Sequence, residues 1–178
     1  MHKSVMDFVE KEINEEDVFD NRVIELGSQD VNGSVRGIIE QRGSREYIGI
    51  DMQDGQGVDV VMDVRKALGH FGVESCDVVI STEMLEHVKD WKKVVPVIKG
   101  LCKRGGTIVV TTRSKGFPYH GYPDDYWRYS LESMKKIFGD FEIQVLITDP
   151  QYPGVMMKAK KPKNFVEVDL SGIEIEKV

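Results

Sequence analysis

The chain has 178 residues, 40% of them apolar and 30% charged, with 17 glycines and 6 prolines. One ordinary globular domain of that size buries roughly 70% of its unfolded surface, so the composition excludes a disordered, collagen-like or coiled-coil chain and leaves no room for two full domains. Thirty acidic residues against 24 basic ones give a net charge of −6, which argues against a broad electrostatic grip on nucleic acid.

In chain order, the first predicted element is a helix from about Ser4 to Ile13, with Val5, Phe8, Val9 and Ile13 on one face. Asp7 makes this start acidic, so no secretory leader is expected, and no apolar stretch approaches the ~20 residues of a membrane span; the expected compartment is the cytoplasm. Arg22–Leu26 reads as a strand closed by Gly27, and Ser34–Gln41 as a short helix stopped by Gly43. Strands follow at Tyr47–Asp51, Val58–Met62, Asp77–Ser81 and Gly106–Thr112. The last two are apolar on successive residues, as strands covered on both faces must be, which favours a mainly parallel sheet. Between them Asp90–Lys103 fits a helix, although Pro96 inside it predicts a kink or a late start at a cost of roughly 3 kcal/mol. After an aromatic loop, Ser130 caps a helix carrying Leu131, Met134, Ile137 and Phe138. A strand over Phe141–Ile147 and a final antiparallel strand over Val155–Lys160 complete the series. Cys76 and Cys102 read as small buried thiols rather than a disulfide framework.

Strands alternating with helices give an α/β fold, a Rossmann-like, doubly wound and mostly parallel sheet with an antiparallel last strand. The expected division is one domain over residues 1–160 and a tail over 161–178, whose weak alternation places no element. Ligands of such sheets bind outside the carboxyl ends of the strands. Those ends carry Glu25, Asp51, Asp63 and Glu83, with Asp30 in the first loop. The dinucleotide fingerprint G-x-G-x-x-G is missing, because the next glycine after Gly27 is Gly33. Carboxylates flanking that turn repel a pyrophosphate and attract a ligand bearing an ammonium and a sulfonium, such as S-adenosylmethionine.

Four segments then carry a resemblance: Val23-Ile24-Glu25-Leu26-Gly27-Ser28, Tyr47-Ile48-Gly49-Ile50-Asp51, Asp77 through Val88 with Ser81-Thr82-Glu83-Met84-Leu85-Glu86-His87 at its centre, and Gly105-Gly106 through Thr112. In order and spacing they resemble small class I S-adenosylmethionine-dependent methyltransferases, over about Val23 to Phe138 and more weakly to Lys160. The first loop departs from that family in being poorer in glycine. The resemblance implies an S-adenosylmethionine cofactor. It also implies residue roles: Glu25, Gly27 and Ser28 shape the methionine end, Asp51 holds the ribose, and Met52 packs the adenine. Asp63 and Val64 meet the adenine edge, and Ser81, Thr82 and Glu83 line the pocket near the sulfonium. His87 follows on the same segment, either as a pocket residue or as a solvent-facing helix start.

The stretch Phe117-Pro118-Tyr119-His120-Gly121-Tyr122-Pro123-Asp124-Asp125-Tyr126-Trp127-Arg128-Tyr129 resembles the Asp-Tyr-Trp-Arg segment found after the fifth strand in many small members of the same family. It is expected on the acceptor side, where His120 is the candidate base by type, with Asp125 and Tyr126 behind it. The alternative is a self-packed loop in which the aromatics cap the core. His2, His70, His87 and His120 show no metal-ligand spacing and have no Cys partners in a ligand pattern, so no metal is expected. The acceptor stays open among a small metabolite, a glycan or lipid head group, and a protein side chain. Two rival functions stand beside methyl transfer: a non-catalytic S-adenosylmethionine-binding protein, and an NAD(P)-dependent oxidoreductase.

Overall fold

A computed structural model describes residues 2–121 and 123–178; Tyr122 of the aromatic loop lies outside them. Nine strands are present among the described residues: β1 Arg22–Leu26, β2 Glu46–Asp51, β3 Val60–Val61, β4 Cys76–Thr82, β5 Cys102–Arg113, β6 Trp127–Arg128, β7 Glu142–Thr148, β8 Gly154–Lys160 and β9 Glu176–Lys177. Six helices accompany them: α1 Lys3–Glu12, α2 Glu15–Val18, α3 Arg36–Gln41, α4 Ala67–Phe71, α5 Trp91–Leu101 and α6 Leu131–Ile137. Seven strands form one sheet in the order β3-β2-β1-β4-β5-β8-β7. β1 to β5 run parallel, and β8 inserts antiparallel between β5 and β7. The last long strand is therefore antiparallel, and it is an interior strand.

The runs of successive apolar residues are explained by two cores. Val78, Ile80 and Val109 face α1, where they meet Val5, Phe8, Val9 and Ile13. Their neighbours Val79, Ile108 and Val110 face the other layer, with Trp91, Val94, Ile98 and Leu101 of α5 and Met134 and Ile137 of α6. A helix layer on each face is what a parallel sheet requires. Pro96 neither delays nor ends α5, which runs unbroken from Trp91 to Leu101. Burial of Trp91, Val94, Val95, Val97, Ile98 and Leu101, at roughly 1.5–3 kcal/mol for each large apolar side chain, outweighs the lost hydrogen bond. Ser130 caps α6, accepting from the Ser133 N–H at 3.0 Å.

Two features were not legible in the sequence. Cys76 and Cys102, distant in the chain, are register partners across β4 and β5, both as buried free thiols. The segment after residue 160 also adds to the core: Leu170 and Ile173 are buried, and β9 pairs antiparallel with β6.

Candidate active site

At the end of β1, Gly27 takes φ +79°, and a Cβ there would sit 2.8 Å from Cβ of Met84, so only glycine lets the first loop lie against the turn after β4. The next backbone amides are all committed. Gly27 and Ser28 N–H donate to the Ile50 carbonyl at 2.8 and 3.0 Å, and Asp30 N–H donates to the Gln56 carbonyl at 2.8 Å. Gln29 N–H donates to Asp51 at 3.3 Å. A pyrophosphate needs such N–H groups free; here the loop spends them on β2 and its turn.

The side chains at these strand ends suit a cation instead. Glu25 is buried and accepts from the Tyr47 hydroxyl at 2.6 Å. Burial lifts its carboxyl to about 7, against the opposing pull of that hydrogen bond, because a desolvated carboxylate lacks a positive partner. An ammonium group is such a partner. The hydroxyls of Ser28 and Ser81, also at the ends of β1 and β4, are buried without any hydrogen-bond partner, so the strand ends hold unmet polar capacity. Asp51, at the end of β2, is fixed by the Gln29 amide and by the Gln53 amide at 3.0 Å. That leaves acceptor capacity for a ribose diol on a half-buried carboxylate. Beside it Met52 is 70% exposed, an apolar side chain with nothing yet covering it. These residues fit S-adenosylmethionine at both its charged and its ribose ends. Asp63 is engaged elsewhere: it caps the 3-10 turn Val64–Lys66 and grips Arg65 at 2.5–3.0 Å, whose hydrogen bonds hold its carboxyl below the usual range. Val64 packs against the core.

The ends of β4 and β5 carry a different construction. Glu83 adopts φ +54° and pairs with His2, whose backbone N–H donates to it at 3.2 Å, and with the buried Arg113. Arg113 also pairs with Asp149 at 3.2 Å and lies over the Phe117 ring. Burial and that guanidinium push the His2 imidazole down; its Nδ1 stands 2.7 Å from Arg113 and 3.1 Å from Glu83. The N-terminal segment thus closes the end of the sheet above β4 and β5.

Next along the chain, the 3-10 turn Leu85–His87 meets the aromatic loop. Glu86 is fully buried; one carboxylate oxygen accepts from the Thr112 hydroxyl at 2.9 Å and the other has no partner. His120 Nε2 faces that free oxygen at 3.8 Å, and its Nδ1 lies 2.9 Å from Asp125. Arg128 grips both Asp125 oxygens at 2.6 Å. Burial works against the Asp125 anion, yet Arg128 and the His120 N–H outweigh it and hold the carboxyl at about 2. The facing Glu86 carboxylate, more than offsetting burial, raises His120 above its ordinary value. The His87 and His120 rings stand 4.8 Å apart.

The fold therefore brings His87, His120 and Asp125 into one cluster, with Tyr126 at its edge, where its hydroxyl donates to Asp124 at 2.8 Å. His87 stands beside His120 at the aromatic loop, and Glu83 is already paired with Arg113 and His2. Sequence reasoning overlooked Glu86, Arg113 and His2. The only hint was a charged residue at the end of an apolar strand, Arg113, and a second glutamate three residues after Glu83. Spacing along the chain also hid the Glu86–His87–His120 group, because its members come from separate segments. Beyond the cluster, a cleft of about 320 Å³ opens between Ser114, Arg128, Tyr129 and Glu174.

The sheet order, parallel through β5 with β8 inserted antiparallel, is that of a Rossmann-like methyltransferase fold. Comparison with solved structures agrees at low identity. A putative methyltransferase from Haloferax volcanii, in complex with the Trm112 methyltransferase activator, is similar with TM-score 0.71 and 15% identity, over 93% of this chain and 92% of that one. A SAM-dependent methyltransferase from Archaeoglobus fulgidus gives TM-score 0.69 and 15% identity over 88% and 93%. The 1,6-didemethyltoxoflavin-N1-methyltransferase of Burkholderia thailandensis, solved with S-adenosylhomocysteine, gives 0.66 and 13% over 80% and 72%. No curated protein matches the sequence. Residues 32–110 match the methyltransferase domain family.

Proposed function

We propose that this chain holds S-adenosylmethionine across the ends of β1, β2 and β4 and methylates an acceptor docked against Glu86, His87, His120 and Asp125. The observation that carries the reading is the pairing of two unlike half-sites at the end of β4. One is a buried carboxylate without an ion-pair partner, Glu25, beside the unmet hydroxyls of Ser28 and Ser81. The other is a half-exposed imidazole cluster braced by Arg128. When bound, the cofactor supplies a methyl group already activated on a sulfonium. The chain's own residues bind and align. Glu25, Gly27 and Ser28 receive the methionine end and Asp51 the ribose hydroxyls. Met52 and Val64 cover the adenine, and Ser81, Thr82 and Glu83 border the reacting end. Alignment of two reactants can supply roughly 7–11 kcal/mol of the barrier.

On the acceptor side, Asp125 fixes the His120 ring and the cluster governs the acceptor's proton. Tyr126 stands at the rim. The committed amides of the first loop count against an NAD(P) oxidoreductase. Among the described residues no helix is long and apolar enough to cross a membrane, and the two buried free thiols suit a cytoplasmic setting. Titration with S-adenosylhomocysteine beside single-turnover transfer of a labelled methyl group to cell extract tests the assignment. His120→Ala should keep cofactor affinity and lower turnover about 10²–10⁴-fold for an acceptor that must lose a proton. Full turnover in His120→Ala, Asp125→Asn and Tyr126→Phe alike would move the acceptor site elsewhere.

A further inference from the structure

We infer that Glu86, His87 and His120 form a binding site for one divalent first-row transition-metal ion on the acceptor side of the domain. The donor atoms of the three residues lie within 4.8 Å of one another, and Glu86 and His120 face each other at 3.8 Å. Ligands held at about 2.0–2.2 Å around a tetrahedral ion stand roughly 3.4 Å apart, so small side-chain adjustments close the set.

The hydrogen bonds around the cluster leave one lone pair on each residue. His87 Nδ1 lies 2.6 Å from the Asp124 carbonyl oxygen, which can only accept, so Nδ1 carries the proton and Nε2 is free. His120 Nδ1 meets the Asp125 carboxylate, itself gripped by Arg128, so in the neutral ring Nε2 keeps its lone pair toward Glu86. Glu86 is fully buried, and its second oxygen has no partner although Thr112 satisfies the first. At 3.8 Å from His120 Nε2 that buried oxygen lies beyond hydrogen-bond reach, and an ion seated between the two would meet both. The surroundings also match what metal ligands need, since a carbonyl and an Arg-braced carboxylate orient the two rings.

Two imidazoles and one carboxylate suit zinc, manganese, cobalt or ferrous iron better than magnesium or calcium, which prefer all-oxygen shells. Three protein ligands leave positions open, and the partial exposure of His87 and His120 opens them to water or to an acceptor oxygen. The role as acceptor ligand rests on the proposed methyl-transfer site; the ion site itself does not.

The test uses the full chain, stripped with a chelator and titrated with Co²⁺, Zn²⁺ and Mg²⁺ by calorimetry, with the visible spectrum of Co²⁺ and a parallel S-adenosylhomocysteine titration. One Co²⁺ or Zn²⁺ per chain is expected, with Mg²⁺ far weaker. His87→Ala removes a half-exposed side chain, so its fold should survive; it should weaken Co²⁺ binding at least 100-fold. Asp125→Asn should weaken it roughly 10–100-fold through the His120 ring. No stoichiometric uptake of Co²⁺ or Zn²⁺ by the folded chain, or equal uptake by His87→Ala, would overturn the site. Loss of S-adenosylhomocysteine binding with the ion retained would count against the methyl-transfer reading alone.

Discussion

At the ends of β1 to β3 the loops are held by backbone: four successive amides of the first loop find acceptors on β2 and its turn. At the ends of β4 and β5 they are held by side-chain charge, through the Glu83–Arg113–Asp149 and Glu86–His120–Asp125–Arg128 chains. The first region leaves hydrogen-bonding capacity on its side chains, at the Ser28 hydroxyl and the Asp51 carboxylate, which the proposed cofactor site would use. The second spends most of its charges on one another, and among the described residues one Glu86 oxygen there is buried without a hydrogen bond. A cofactor site needs fixed loops with free functional groups. An acceptor site needs a few groups held rigidly in place, and buried ion pairs supply that rigidity at a desolvation cost.

The largest expected effect breaks the second construction. Arg128→Ala strands a buried Asp125 carboxylate, which should destabilise the fold by about 3–5 kcal/mol and lower Tm by roughly 6–20 °C. A thermal melt within a degree or two of wild type would show that the network carries no structural weight. The next effect sharpens the first region. Because the folded-state pKa of Glu25 is raised from 4.5 to about 7, the native chain retains a proton that the unfolded chain releases as pH rises. The penalty is absent below pH 4.5, grows up to pH 7 and is then constant, at about 3 kcal/mol. Glu25→Gln should therefore gain stability relative to wild type across that window, as read by chemical denaturation at pH 4.5 and pH 8. An unchanging gap would place Glu25 in an ordinary carboxylate environment.

Asp51→Ala tests whether the reserve is used. Losing even one charge-assisted hydrogen bond, worth about 1.5–3 kcal/mol, should weaken S-adenosylhomocysteine binding roughly ten- to a hundredfold. Wild-type affinity in a folded variant would reduce Asp51 to a strand-end residue. The smallest effect is at Met52, which is mostly exposed. Met52→Ala should change stability by less than about 0.5 kcal/mol and lower cofactor affinity only severalfold; a large loss of stability would mean that Met52 is a core residue.

The same contrast explains what the sequence could convey. Glu25, Gly27 and Asp51 sit at strand ends whose apolar runs mark their positions, so their placement followed from local pattern. The two-sided burial of Val78 to Ile80 and of Ile108 to Val110 was legible for the same reason. The Glu86–His87–His120 cluster joins the turn after β4 to a loop beyond β5, and no local period connects Glu86 to His120. Pairing of Arg113 with Glu83 depends likewise on strand register. The helix through Pro96 went the other way, because burial in the tertiary fold overrode a local rule. The tail beyond residue 160 gave only a weak alternation, yet Leu170 and Ile173 find the core because β9 docks on β6.

The central claim is that the committed amides and cation-seeking carboxylate of the first region select an adenosyl sulfonium ligand over a dinucleotide. Calorimetric titration of the purified chain with S-adenosylhomocysteine, S-adenosylmethionine and NAD measures that choice directly. Saturable one-to-one binding of both adenosyl compounds, with no heat from NAD, is the predicted result. NAD binding with none for either adenosyl compound would contradict the account.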